Sequence, residues 1–147
     1  MPDTPFVALS KYRLERASDA LKTAKRDLEA GDYASANNRS YYCIFHSMRA
    51  VLALTGEDYK KHSGVISRFS EMYLKTNILP QELSKTISMA FVVRNRSDYE
   101  DFFICSVADT EKLTSEAEVF LKTVSNFLIK NTASSRKSWS ARIHRKK

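Results

Sequence analysis

The chain has 147 residues, with only three Gly and three Pro, and a formal net charge of +7 at pH 7. This length suits a single domain with a real core, and the scarcity of helix breakers favours long helices with short connections. No apolar run approaches the roughly 20 residues of a membrane span, and the first residues lack the basic and apolar regions of a signal peptide. We therefore expect a cytoplasmic protein.

The positive charge is concentrated at the C-terminal end. Residues 132–147 hold six Lys and Arg side chains and no acid, so the rest of the chain carries only +1. We predict a helical bundle over residues 1–131 and a basic, disordered tail over residues 132–147. The tail, which includes Trp139, either adds salt-dependent affinity for RNA or an acidic partner or is simply solvated.

The first two predicted helices cover residues 6–30 and 33–54. Apolar side chains recur at helical spacing in both segments. Gly31 ends the first helix, Asp32 caps the second, and Gly56 follows its end. Because the connection is so short, we expect the two helices to be antiparallel neighbours.

The second helix has three different faces when its residues are placed at 100° intervals. One face is apolar: Tyr41, Ile44, Phe45, Met48, Val51 and Leu52. Another is a row of small residues that a second helix can approach closely: Ser40, Cys43, Ser47 and Ala50. The third is polar: Asn38, Arg39, Tyr42, His46 and Arg49. This polar stripe either meets solvent or a partner, as on an ordinary bundle helix, or lines a functional groove.

A third and a fourth helix follow. Ser63 is a plausible N-cap for the third helix, and Asn77 a plausible end. Pro80 suits the first position of the fourth helix, which runs into residues 94–99.

The last predicted helix spans about residues 107–129, with Ser106 or Asp109 as its cap, and residues 100–105 have no clear assignment. No strand pattern appears. The predicted fold class is therefore all-α, an antiparallel up-and-down bundle of about five helices.

Several motifs together resemble the HEPN superfamily (higher eukaryotes and prokaryotes nucleotide-binding), especially its small stand-alone prokaryotic members. The most specific set is Arg-x-Tyr-Tyr-x-x-Phe-His, then Lys-x-Ser-Gly, then Arg-x-x-Ser-Asp-Tyr. The matching pieces, within roughly residues 8–130, are residues 31–33 with Ala36, 39–46, 61–65 with Phe69, 78–83 and 94–99.

The resemblance implies a helical bundle that commonly forms a homodimer. Many HEPN relatives are metal-independent ribonucleases, often toxins, and others are partners of a small nucleotidyltransferase in two-gene toxin–antitoxin or defence modules, or non-catalytic binding domains. The ribonuclease members carry Arg, four to six residues, and then His. Counted from Arg94, the corresponding positions are Tyr99, Glu100 and Asp101, so this sequence departs from the pattern.

The candidate site combines this motif with the remaining histidines of the body. Arg94 suits a phosphate-binding role because guanidinium holds phosphate oxygens bidentately. Tyr99 is a poor base, since a phenol titrates near pH 10, so a replacement base must be an imidazole. The catalytic candidates are Arg94, His62 and His46. The nucleotide- or phosphate-binding candidates are Arg94, Asn95, Asp98, Tyr99, Arg39, Tyr42, Lys61 and His62.

Each of these residues also has a purely structural interpretation. Arg94 pairs with Asp98 one turn on while Tyr99 closes the core, His46 is a packed imidazole, and His62 caps a helix. Tyr41, Tyr59 and Tyr99 are possible acceptors of a nucleotidyl group from a partner enzyme. Neither the histidines nor Cys43 and Cys105 have the spacing of a metal or redox site, so we expect no metal and no cofactor.

Three functions remain open at this point. The first is a non-catalytic protein that binds nucleotide or RNA, or a nucleotidyltransferase partner. The second is a metal-independent toxin ribonuclease with an altered catalytic set, and the third is a helical interaction scaffold without nucleotide chemistry. We predict a homodimer that brings two copies of Arg94 toward a shared cleft.

Overall fold

The computed structural model of the chain describes residues 4–99 and 106–132, with the side chains of residues 98 and 99 outside that description. Within these residues the chain forms an up-and-down bundle of five α-helices without a strand, which confirms the predicted fold class. The helices are α1 (Pro5–Glu29), α2 (Tyr33–Ala53), α3 (His62–Phe69), α4 (Leu83–Tyr99) and α5 (Val107–Lys130). A π-helical turn, Ser70–Leu74, continues α3. No helix among the described residues is long and apolar enough to cross a membrane.

The junction between α1 and α2 follows the predicted chemistry. Gly31 has a φ of 81°, the left-handed conformation that glycine adopts at a helix end without steric cost. The Ser35 amide then donates to Asp32 Oδ1 at 3.3 Å, so Asp32 caps α2 as expected. The short turn places α1 and α2 side by side along their length.

Helix α2 is the centre of the bundle and contacts each of the other four α-helices. Its predicted apolar face is buried. The row of small residues is shared by two neighbours: Cys43 Sγ donates to the Ala117 carbonyl of α5 at 3.7 Å, and Ser10 Oγ of α1 donates to the Ala50 carbonyl at 2.6 Å. The predicted close approach of another helix along this row is therefore confirmed.

Helix α3 begins two residues earlier than predicted. Lys61 occupies the N-cap position and makes no side-chain capping bond, so Ser63 is not the cap. The Lys61 carbonyl accepts from the Val65 amide at 3.2 Å. This register buries Val65 and Phe69 in the core, and burial of these two side chains outweighs the weaker preference of serine for the cap.

Helix α4 begins three residues later than predicted. Pro80 precedes a turn instead of opening the helix, and its carbonyl accepts from the Leu83 amide at 3.2 Å. Leu79 and Leu83 are both buried, so the chain turns between them to bring both side chains into the core. Asn77, with a φ of 59°, ends the preceding helical segment as predicted.

Helix α5 is capped as expected, because Ser106 Oγ accepts from the Asp109 amide at 3.0 Å. Asp109 therefore supplies an amide rather than the cap itself. The predictions for the tail and for residues 100–105 lie outside the described residues, as does the predicted ion pair of Arg94 with Asp98.

Candidate functional site

Helix α4 carries Arg94 onto two adjacent tyrosines of α2. Ile87 and Ala90 are buried on α4, and Arg94 follows Ala90 by four residues, so it projects from the same face. Its guanidinium carbon lies 4.9 Å from the centre of the Tyr41 ring and 5.7 Å from that of Tyr42. Arg94 Nη2 also donates to Tyr42 Oη at 3.5 Å. The cation is therefore held against aromatic faces, where the ring quadrupole attracts it.

His62, the first residue of α3, joins the same group of side chains. Its Nδ1 lies 2.7 Å from Tyr41 Oη, a hydrogen bond whose direction depends on the imidazole tautomer. Its ring packs on Phe45 with centres 4.1 Å apart. We call Tyr41, Tyr42, His62 and Arg94 the arginine–tyrosine cluster.

The charge states of the cluster follow from burial and from nearby arginines. Desolvation, together with the positive charges of Arg94 and Arg49, lowers the pKa of His62 below its usual value, so the imidazole is neutral at pH 7. Burial raises the pKa of Tyr41 to about 12, so its hydroxyl keeps its proton. The cluster thus combines a permanent cation with a neutral imidazole and two phenols.

This combination has the parts that phosphate chemistry needs. In the tautomer in which His62 Nδ1–H donates to Tyr41 Oη, the opposite ring nitrogen Nε2 is a proton acceptor. Arg94 supplies a permanent positive charge, and guanidinium groups are well suited to contacts with phosphate oxygens. In the described parts of the chain, no group of three or more His, Cys, Asp or Glu is arranged to hold a metal ion.

His46 lies one turn further along α2, beside the cluster. Its ring centre is 5.8 Å from those of Tyr42 and Phe45. Burial and the positive charges of Arg16, Arg49, Arg39 and Arg13, in decreasing order, lower the pKa of His46 to about 4. Its Nδ1 is buried without a hydrogen-bond partner among the described residues. His46 therefore faces an arginine-rich environment rather than joining the Tyr41–His62 hydrogen bond.

Of the other predicted site residues, some lie beside the arginine–tyrosine cluster and others lie away from it. Arg39 lies over Tyr42, with 5.0 Å between its guanidinium carbon and the ring centre. Lys61 is exposed next to His62, and Asn95 is partly buried next to Arg94. The Tyr59 hydroxyl donates to Glu57 Oε2 at 2.9 Å, away from the Tyr41–His62 pair. Asp98 and Tyr99 belong to α4, but their side chains are outside the description.

The sequence reasoning missed two contributions: the hydrogen bond of Tyr41, which it named only as a possible nucleotidyl acceptor, and the ion pairs of Asp58. Tyr41 was assigned to the apolar face of α2. Its ring is buried there as predicted, but its hydroxyl group forms a hydrogen bond with His62. Asp58 pairs with Arg49 at 3.2 Å and with Arg13 at 3.4 Å, which fixes the segment that leads into α3. The signal for the Tyr41–His62 hydrogen bond was a tyrosine, rather than a phenylalanine, on a buried face. Nothing in the local sequence indicated the ion pairs of Asp58.

A family model for the HEPN domain matches residues 10–128, which include all or most of each described helix and all of the arginine–tyrosine cluster. The chain belongs to the HEPN family. The resemblance drawn from the motifs of α2, α3 and α4 is thereby confirmed.

Relatives of this HEPN chain occur in archaea and bacteria. A protein of Methanocaldococcus jannaschii (MJ0142), whose name describes it as a candidate toxin, is 30% identical over 116 residues, 79% of each chain. A UPF0332 protein of Archaeoglobus fulgidus is 31% identical over 82% of this chain and 96% of its own. One of Thermotoga maritima is 30% identical over 80% of this chain and 89% of its own.

Proposed function

We propose that this chain is a toxin-like HEPN protein that binds RNA or a nucleotide through the arginine–tyrosine cluster. The proposal rests on one observation. Arg94 of α4, His62 of α3 and the Tyr41–Tyr42 pair of α2 come together around the partly exposed ring of Tyr42. Arginine binds phosphate, while tyrosine and imidazole rings offer stacking surfaces for a base. Membership of the HEPN family and a relative named as a candidate toxin support the same direction.

The test is a binding measurement with the full chain. Fluorescence anisotropy with a labelled single-stranded RNA, and calorimetry with a nucleotide, should both detect wild-type binding. Arg94→Ala should weaken it roughly tenfold or more, because a charge-assisted contact with phosphate is lost. Lys85→Ala, which removes an exposed cation earlier on α4, is the control and should change little. Equal affinity of wild type and Arg94→Ala would contradict the proposal.

The assembly belongs to the same proposal. We infer a homodimer that brings two copies of Arg94 to a shared cleft, and a small nucleotidyltransferase as the partner in a two-gene toxin–antitoxin module. HEPN membership supports both ideas. Light scattering at micromolar concentration should report a dimer, and a monomer would refute the shared cleft. A co-expressed nucleotidyltransferase from the neighbouring gene should co-purify with the chain.

A second function, metal-independent cleavage of RNA, is favoured by one specific observation. His62 is a neutral imidazole held by Tyr41 beside Arg94. Its free nitrogen can accept the proton of a ribose 2′-hydroxyl as that oxygen attacks the adjacent phosphorus. The 5′-oxygen then leaves and takes up a proton from water, while His62 releases its proton to the solvent, and the products are a 2′,3′-cyclic phosphate and a 5′-hydroxyl. Arg94 would stabilise the charge on the phosphorane.

Incubation of pure protein with total RNA separates cleavage from binding alone. If cleavage occurs, it should persist with a chelator, and Arg94→Ala should remove about 3 to 4 kcal/mol of transition-state stabilisation. His62→Gln should also abolish cleavage, whereas His46→Gln should not. Cleavage that survives in the double variant of His46 and His62 would rule out an imidazole base.

A further inference from the structure

A cavity of about 230 Å³ opens between α1 and α2, apart from the arginine–tyrosine cluster. Neither Arg94 nor His62 is among its lining residues. Arginine, histidine and threonine side chains supply most of its polar lining, together with one carboxylate. The lining residues are Arg16, Asp19, Ala20, Thr23, Arg39 and His46.

The cavity has an excess of positive charge. Arg13 and Arg16 of α1 and Arg39 and Arg49 of α2 all exert a positive potential at the His46 ring. Three of the four arginines are at least partly buried, which strengthens their effect on a ligand that enters.

The carboxylates nearby only partly compensate for these arginines. Asp58, from the segment between α2 and α3, is shared by Arg13 and Arg49. Asp19 is the acid that lines the cavity itself. Among the lining residues themselves, the two guanidinium groups of Arg16 and Arg39 outnumber the one carboxylate of Asp19, beside a neutral imidazole.

One buried nitrogen of a lining residue, His46 Nδ1, lacks a hydrogen-bond partner among the described residues. Buried polar groups in native proteins are nearly always hydrogen-bonded, so unpaired ones require a reason. A positively charged cavity whose hydrogen bonds are incomplete is suited to an anion. Oxygen atoms of a phosphate group would meet the guanidinium groups and the imidazole as acceptors.

Arg39 connects this cavity to the arginine–tyrosine cluster. It lines the cavity, and its guanidinium carbon is 5.0 Å from the centre of the Tyr42 ring. The guanidinium carbon of Arg94 lies 5.7 Å from the same ring centre, so the two cations are at most about 11 Å apart. Up to about three stacked nucleotides, at roughly 3.4 Å each, span such a distance.

We propose that the α1–α2 cavity binds a second phosphate group of the same ligand, and that this ligand is single-stranded RNA whose backbone runs from Arg94 past Arg39 to Arg16. The inference rests on the proposed function and narrows its ligand. A mononucleotide fills only the arginine–tyrosine cluster, whereas a short RNA strand fills both places.

The experiment compares two probes on the full chain: a single-stranded RNA of about eight nucleotides and 5′-AMP. Arg16→Gln should weaken binding of the RNA about tenfold while AMP affinity stays unchanged. It should also reduce the slope of log affinity against log salt by about 0.7, the value for one phosphate contact on a single strand. Arg26→Gln, which alters an exposed arginine in the last turn of α1, is the matched control and should affect neither probe.

Arg94→Gln separates this inference from the proposed function. If both are right, Arg94→Gln weakens both probes and Arg16→Gln weakens only the RNA. If Arg94→Gln has no effect while Arg16→Gln weakens the RNA, the proposed function fails and the cavity remains an RNA site. Equal RNA affinity in wild type and Arg16→Gln overturns the inference, and so does a wild-type protein that does not bind the RNA.

Nuclear magnetic resonance of the His46 imidazole gives an independent readout. In the free protein, burial first and the nearby arginines second lower its pKa to about 4. A bound phosphate group would raise that pKa toward its ordinary value when the RNA is added. A pKa that does not move when the RNA binds would show that His46 is only a packing residue and would overturn the inference.

Discussion

The Tyr41 hydroxyl group fixes the orientation of the His62 imidazole. Tyr41 is almost fully buried and packs its ring against Phe45 and under Arg94, so its oxygen has little freedom. The 2.7 Å hydrogen bond to His62 Nδ1 therefore determines where the opposite ring nitrogen points. A single buried hydroxyl thus connects the core of the bundle with the residue that would carry out proton transfer.

Tyr41→Phe tests this connection. The change keeps the ring and removes the hydrogen bond, so the free energy of unfolding should fall by about 1 kcal/mol, a typical net value for one bond. Urea denaturation measures it, and His62 should lose orientation, visible as a change in its imidazole signals. Tyr12→Phe, at an exposed tyrosine of α1, should change neither quantity. Unaltered His62 signals in Tyr41→Phe would show that the hydroxyl does not hold the ring.

The pH dependence of stability should report the two buried imidazoles. The pKa of His46 falls from 6.5 to about 4 on folding, and that of His62 is lowered too, so the unfolded chain binds protons more readily. Stability from these groups is complete above pH 6.5 and declines as the pH falls toward 4. The carboxylates of Glu57, Asp58 and Glu118 have lowered pKa values, so their contribution to stability is lost mainly as the pH falls below the unfolded values of 4.5 for Glu and 3.8 for Asp.

The measurement is the unfolding midpoint in urea between pH 4 and pH 7. His46→Gln should flatten the decline in this window, because the residue that takes up a proton on unfolding is gone. His144→Gln, in the C-terminal basic segment, is the control. A decline that is equally steep in His46→Gln and wild type would refute the low pKa of His46.

At the level of elements, the segment between α2 and α3 is held at two neighbouring acids. Glu57 accepts from Arg68 of α3 through both carboxylate oxygens, at 2.8 and 2.9 Å, while Asp58 pairs with Arg13 and Arg49. One acid attaches the segment to α3 and the other attaches it to α1 and α2. His62 follows four residues after Asp58, so these ion pairs hold the segment from which α3 begins.

Glu57→Gln should loosen this attachment. Amide hydrogen exchange over residues 55–61 should become faster, while the melting temperature changes little, because the pair is at the surface and screened by solvent. Glu71→Gln is a matched control, since Glu71 also pairs with Arg68, at 3.2 Å, but within the helical segment that continues α3. Exchange that is equally fast in both variants would show that the pairing of Glu57 has no special role.

At the scale of the whole molecule, the bundle is organised by α2, and we propose that the domain ends near residue 131. Helix α5 ends at Lys130, and its last buried side chain is Leu128. The six cations of residues 132–147 then add charge to a body whose net charge is only +1. We therefore expect the body up to about residue 131 to account for folding, and residues 132–147 to attract an acidic ligand over a long range.

Deletion of residues 132–147 should therefore leave the helicity and the melting temperature nearly unchanged. Circular dichroism measures both. RNA affinity at low salt should fall, because fewer counterions are released on binding, and the difference should shrink at high salt. An unfolded truncated protein would show that the tail is part of the fold.

The sequence predicted those features of the molecule that depend on local chemistry. The Asp32 cap and the apolar face of α2 need only neighbouring residues and were predicted correctly, and Ser106 was one of the two caps considered for α5. The starts of α3 and α4 were wrong because burial of core residues decided them, against the capping preferences of Ser63 and Pro80.

The candidate site was predictable to a similar extent. Arg94, His62 and Tyr42 came from the family motifs and from the chemistry of phosphate. The cavity at His46 depends on arginines from two helices that only the fold brings together. Periodicity describes one helix at a time, so a charge that accumulates between two helices is invisible to it.

The π-helical turn Ser70–Leu74 contains one residue more than an α-helical turn would need. Its bond from the Lys75 amide to the Ser70 carbonyl spans one residue more than an α-helical bond. Removal of exposed Glu71 would convert this turn to ordinary α-helix. Phe69, before Glu71, and Tyr73 and Leu74, after Glu71, would keep their places in the core. A deletion of one residue at this turn can therefore shorten the chain while the bundle keeps its shape. Elsewhere in α3, deletion of one residue would rotate every following side chain by about 100°.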